Sequence, residues 1–135
     1  MRALLPLAAL LLTLASPAGA GDDIATAQNV IRSQADAFSR DDAVAAYSFA
    51  APAIHDLFPQ ADIFMFMVQN SYAPVYRHRS FEFGEARVLD GRIAQRVHII
   101  DAEGVAWEAL YTLKLEPDGS LKIIGCVLLK AGHAV

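Results

Sequence analysis

The chain has 135 residues, 11 basic and 15 acidic side chains, and a formal net charge of −4. That balance argues against nucleic acid, whose phosphates demand clustered Lys and Arg, and the single cysteine, Cys126, excludes an intramolecular disulfide. No G-x-S-x-G, H-E-x-x-H, C-x-x-C, phosphate-loop or dinucleotide glycine signature occurs, so serine hydrolase, zinc protease, thioredoxin-like and nucleotide-enzyme readings lose their main support.

Met1-Arg2 is a short basic segment, Ala3 to Ala15 is apolar, and Ala18-Gly19-Ala20 has the A-x-A form of a cleavage site, followed by polar Gly21-Asp22-Asp23. Residues 1–20 therefore read as a cleavable signal peptide. The apolar run is shorter than the ~20 residues of a membrane-spanning helix, and no cysteine follows the cleavage site to carry a lipid anchor. Cleavage would leave a single domain, residues 21–135, with a net charge of −5 and no stable membrane span. Its expected location is the periplasm or the exterior of a bacterial cell. Beside Val127, Leu128 and Leu129, Cys126 reads as a buried, inert thiol.

The first half of the domain predicts helices. Ile24, Ile31 and Phe38 recur at heptad spacing with Ala27, Gln34 and Ala35 between them, an apolar stripe on one helical face, with Asp22 or Asp23 as N-cap. Asp41 or Asp42 then caps a shorter helix through Val44, Ala45 and Tyr47, which Pro52 interrupts, and Pro52 to Leu57 adds a further turn. Ile63 to Val68 is apolar all round and predicts a third helix, buried on most sides and ended by Pro74.

The second half predicts an antiparallel meander. Asp90-Gly91, Ala102-Glu103-Gly104 and Pro117-Asp118-Gly119 are hairpin signals between strand-like runs. A three-residue loop after Asp101 places Ile99 opposite Trp107, Val97 opposite Ala109, Gln95 opposite Tyr111 and Ile93 opposite Leu113. On the same inner face fall Leu121, Ile123, Gly125, Val127 and Leu129. Phe81 and Phe83 are odd-numbered whereas Ala86 and Val88 are even, so keeping all of them inward requires a bulge at Gly84-Glu85. The predicted fold class is α+β: about three N-terminal helices packed on a curved, four-stranded antiparallel meander with that bulge.

The inner face is apolar except for Gln95 and Tyr111, which Gln34 could approach from the first helix. Gln34, Gln95, Trp107 and Tyr111 are accordingly the candidate ligand-binding residues of a small apolar pocket. No catalytic residue is assigned, because no Asp, Glu or His falls on the interior stretch of that face, and isomerase or dehydratase chemistry needs a positioned base. The outer face carries a ladder in which His98 opposes Glu108 and Glu82, and Glu85 opposes Arg96. Three ligands on an open sheet without local spacing make a solvated ladder rather than a metal site, and no cofactor is expected. Ile100, Leu110, Ile124, Cys126 and Leu128 share the outer face and suggest a homodimer interface there. The basic cluster Tyr76-Arg77-His78-Arg79 reads as a protected strand edge.

Gln34, Phe38, Asp41-Asp42, Ser48-Phe49-Ala50 with Pro52, Phe64, Met67-Val68, Tyr72, Gln95, Trp107 with Tyr111, Asp118-Gly119 and Gly125-Cys126 occur in an order that resembles the bacterial family called domain of unknown function 4864, within the nuclear-transport-factor-2-like superfamily. The resemblance implies a cone-shaped α+β domain but no reaction, since that superfamily includes isomerases, dehydratases, ligand binders and interaction modules. The leading expectation is an exported, non-catalytic domain that binds a small apolar ligand. The alternatives are an interaction module with a filled core and a ketosteroid-isomerase- or dehydratase-like enzyme.

Overall fold

Helices come first and strands follow, as the two periodicities predict. The computed structural model describes residues 19–132; residues 1–18 of the stretch that reads as a signal peptide lie outside them. The helices are α1 (Ala20–Ser39), α2 (Ala43–Ser48), α3 (Pro52–Leu57), α4 (Ala61–Ser71) and α5 (Ala73–Tyr76), and the strands are β1 (His78–Leu89), β2 (Arg92–Asp101), β3 (Ala106–Leu115) and β4 (Leu121–Lys130). Among the described residues no helix is long and apolar enough to cross a membrane.

The α1 stripe buries Ala27, Ile31, Gln34, Ala35 and Phe38, residues three or four apart on one face. Its N-cap is Gly19, so Asp22 and Asp23 are not the caps. They occupy the first turn, where negative charge complements the helix dipole. After α1 the chain turns through Asp41 in a left-handed conformation (φ 56°). Asp42 then caps α2, its carboxylate accepting from the Ala45 N–H at 3.1 Å.

α4 departs from the prediction. Phe64, Met65 and Val68 are buried, but Phe66 is 67% exposed and Ile63 45%. The sheet lies on one side of the helical layer only, so an all-apolar helix still has an uncovered face. α4 stops at Ser71, and Pro74 opens the short α5 instead of terminating its predecessor.

The sheet has the order β1-β2-β3-β4, every pair antiparallel. Asp90 (φ 43°) and Gly91 (φ 74°) both take the positive φ that a two-residue hairpin turn requires. The β2–β3 register is the predicted one, with Ile99 opposite Trp107 and Gln95 opposite Tyr111. Phe83 pairs with Val97 and Ala86 with Gln95, which leaves Gly84 and Glu85 as the predicted bulge.

β4 contains a further break that overturns its predicted faces. Leu113 pairs with Ile123 but Thr112 with Gly125, so Ile124 is an extra residue and parity inverts beyond it. Cys126 and Leu128, expected outside, pack against the core. Val127 and Leu129, expected inside, are 55% and 62% exposed. Both parities of β4 are apolar, so alternation cannot specify the register past the bulge. At the same place the Phe49–Ala51 segment runs along the β4 edge: Ile123 donates to the Phe49 carbonyl at 2.9 Å and Ala51 to the Ile123 carbonyl at 2.8 Å. The core lies between α1, α4 and the inner sheet face, around Ile31, Phe38, Phe64, Val97, Leu113 and Ile123.

Candidate functional site

The helical layer and the sheet line a half-open cavity of about 250 Å³ beside the β4 bulge. Each wall follows from a local feature. Parity inversion at Ile124 turns the Cys126 side chain inward, while Gly125 adds no side chain to the wall. α1 contributes Gln34 and Phe38 from its buried stripe, and α4 contributes Phe64, Met67 and Val68. Ile54, Leu57 and Phe58, on and just after α3, line the cavity from the helical side, and Tyr72 and Val75 follow α4. Tyr111 projects into it from the middle of β3.

Its polar groups are few and neutral. Gln34 is buried and donates from Nε2 to the Ala46 carbonyl at 3.2 Å, which leaves Oε1 without a protein partner among the described residues. The Tyr72 hydroxyl donates to the Cys126 carbonyl at 2.9 Å. Tyr111 is only 2% exposed, and no described residue hydrogen-bonds its hydroxyl. The one sealed side-chain polar atom without a partner is His78 Nδ1 among the described residues, so the Tyr111 hydroxyl opens onto the cavity. Burial holds the Tyr111 phenol well above its ordinary value, raises Tyr72 and pushes the Cys126 thiol up to about 12. All three therefore stay protonated at neutral pH. No carboxylate or imidazole stands in the lining. Such a site cannot offset the desolvation of a charged ligand, and it holds no group that titrates near neutrality for general base work.

Of the sequence-predicted ligand residues, Gln34 and Tyr111 meet in this cavity, whereas Gln95 and Trp107 lie outside its lining. Gln95 is fully buried, and its Nε2 donates to the carbonyls of Arg96 at 2.8 Å and Gly84 at 3.1 Å, with Glu85 at 3.4 Å. Its Oε1 accepts from Gln28 Nε2 at 3.1 Å. Trp107 donates from Nε1 to Asp101 Oδ2 at 2.9 Å at the end of the β2–β3 hairpin. Sequence reasoning missed Cys126, Tyr72 and the α3 side chains. Gly125, a glycine inside a strand, was the available sign of the bulge that turns Cys126 inward. A single-turn helix such as α3 is too short to show a periodicity.

Elsewhere the charged groups serve each other. On the outer face Glu108 accepts from Arg96 Nη1 at 2.9 Å and lies 3.3 Å from His98 Nδ1, so Arg96 is paired with Glu108 and not with Glu85. Arg77 donates to the Phe38 carbonyl at 2.8 Å and to Asp41 Oδ1 at 2.7 Å, and its guanidinium lies over the Tyr76 ring. This residue of the basic cluster clamps the C-terminus of α1. Among the described residues no group of three His, Cys, Asp or Glu side chains could hold a metal ion.

A family model described as "Domain of unknown function (DUF4864)" matches residues 20–134. The fold is similar to the crystal structure of an NTF-2-like protein of unknown function from Silicibacter pomeroyi, at 15% identity and a TM-score of 0.58 over 83% of this chain and 98% of that one. At that identity the likeness concerns the fold alone. No curated protein matches the chain.

Proposed function

Because this chain belongs to the family described as "Domain of unknown function (DUF4864)" and has an NTF2-like fold, its chemistry has to be read from its cavity, and we propose that it is an exported, non-catalytic domain that binds a small, uncharged, mainly apolar molecule. The observation that carries this reading is the neutral cavity of about 250 Å³ into which the Tyr111 hydroxyl opens. An apolar cavity of ~150 Å³ can hold benzene, so the space suits a one-ring or compact two-ring compound. The lack of carboxylate and imidazole in the lining supports binding over catalysis. Export is supported by the leader-like residues 1–20.

Native mass spectrometry of the protein purified from its host's periplasm tests the reading. The expected mass is that of a chain beginning at Gly21, with a fraction carrying a small neutral adduct that is released into organic solvent. A chain that keeps its leader refutes export. A uniformly bare chain that also fails to bind a one-ring hydrocarbon refutes the ligand.

A second reading concerns the outer sheet face. Leu110 and Val127 are direct cross-strand partners there, Leu129 lies on the same face, and all are exposed. Arg96 and Glu108 supply both signs of charge beside them. A two-fold copy could oppose unlike charges across such a stripe, which favours a homodimer.

A further inference from the structure

We propose that Tyr111 and Gln34 form a donor–acceptor pair that selects a hydroxyl-bearing ligand, an alcohol or phenol, over a hydrocarbon of the same shape. This rests on the cavity being a binding site and goes on to name the class of molecule it takes. The Tyr111 phenol stays protonated because burial raises it, and no described residue accepts its proton. A buried donor without a protein partner is costly unless something accepts its hydrogen bond. The Gln34 carboxamide is oriented by the bond from one of its two Nε2 hydrogens to the Ala46 carbonyl, which leaves Oε1 as an acceptor. The remaining polar groups of the wall are differently placed. The Tyr72 hydroxyl is already spent on the Cys126 carbonyl, and the thiol of Cys126 is a weak donor.

The cavity therefore offers one strong donor and one strong acceptor in an otherwise apolar wall. A hydroxyl oxygen can accept from Tyr111 and donate its own hydrogen to Gln34. A carbonyl or ether satisfies only Tyr111, an ammonium only Gln34 at a heavy desolvation cost, and a carboxylate would face the Gln34 oxygen with no cation in the lining.

The test uses p-cresol and p-xylene, which differ by a hydroxyl in place of a methyl. NMR titration of the Met67 and Ile123 methyl groups gives both Kd values for the mature chain and for Tyr111→Phe and Gln34→Met. The ratio of the two Kd values within one protein removes differences common to the cavity, and its change on mutation isolates the hydroxyl. In Tyr111→Phe the ratio should move toward p-xylene by ~3- to 10-fold, the effect of one neutral hydrogen bond. Gln34→Met should move it in the same direction. Tyr111→Phe should also fold as well as the native chain, since the deleted hydroxyl has no protein partner. An unchanged ratio in both variants, with both probes binding, overturns the selection by this pair and leaves the apolar cavity standing. Failure of the native chain to bind either probe overturns both readings.

Discussion

Gln95 Nε2 lies 3.1 Å from the Gly84 carbonyl oxygen. The glutamine carboxamide fills the β1–β2 bulge, where an extra residue leaves backbone carbonyls without ladder partners. Its Cα faces Tyr111 on the adjoining strand, yet its side chain is committed to the neighbouring backbone.

Replacing Gln95 by Leu keeps the approximate volume and leaves those partly buried carbonyls without its side-chain donor. An unsatisfied buried polar group costs about 1–3 kcal/mol, so the variant should lose about 2–3 kcal/mol in urea unfolding. Its affinity for p-xylene should stay native. A loss below about 0.5 kcal/mol would mean that the bulge carbonyls find other partners.

Asp101 organises the β2–β3 hairpin. One carboxylate oxygen accepts from Glu103 and Val105 N–H groups at 2.9 and 2.8 Å, and the other accepts from Trp107 Nε1. The bond from Trp107, then those from the backbone and the nearby Arg79 charge, hold the carboxyl below its ordinary value of 3.8. A lowered value in the folded state means stabilisation that is fully present above the unfolded value and lost as pH falls through the folded one. Carboxyl carbon NMR should place the Asp101 midpoint below 3.8. In Trp107→Phe, which removes the largest cause, that midpoint should rise, and a midpoint indifferent to the substitution would show that the indole bond contributes nothing.

A methyl group on Gly84 would sit 2.7 Å from His98 Nε2. The obstacle is the half-exposed end of a side chain, so Gly84→Ala should fold, with His98 displaced from Glu108 and a cost of roughly 1 kcal/mol. Adding His98→Ala should recover most of that loss, the signature of coupling between neighbours. Strictly additive losses in the double variant would place the strain in the backbone of the bulge.

Leu129 projects outward because of the β4 bulge, beside the Leu110–Val127 pair. If a second copy covers this stripe, the native chain sediments as a dimer at micromolar concentration and Leu129→Glu sediments as a monomer with unchanged p-xylene binding. A native chain that is monomeric at high micromolar concentration removes the homodimer.

The meander shows where legibility ends. The β1 bulge could be read because Phe81 and Phe83 are apolar on one parity and Ala86 and Val88 on the other, so only an inserted residue reconciles them. The β4 bulge could not be read the same way: Leu121 to Leu129 offers apolar side chains on both parities, and either register buries a hydrophobic face. That one ambiguity sent Cys126 to the wrong side of the sheet and with it a wall of the cavity.

Gln34 and Tyr111, which line the cavity, were legible as candidates because a polar group on an otherwise apolar face stands out against its neighbours. Gln95 stood out for the same reason, and Trp107 shares its face. Only side-chain geometry separates the two pairs, since it shows which polar atoms the protein itself satisfies and which it leaves for the cavity.

Local alternation and turn chemistry thus determined, from the chain alone, the α+β class, the order of helices and strands, two of the three strand registers and the bulge at Gly84-Glu85. These features depend on residues a few positions apart or directly opposite across a short hairpin. The tertiary structure decided the cavity, the α3 side chains that line it and the polar groups that face it. An empty volume is set by how far two layers diverge, which depends on contacts between distant segments such as Phe49–Ala51 on the β4 edge, and no short-range periodicity encodes that separation.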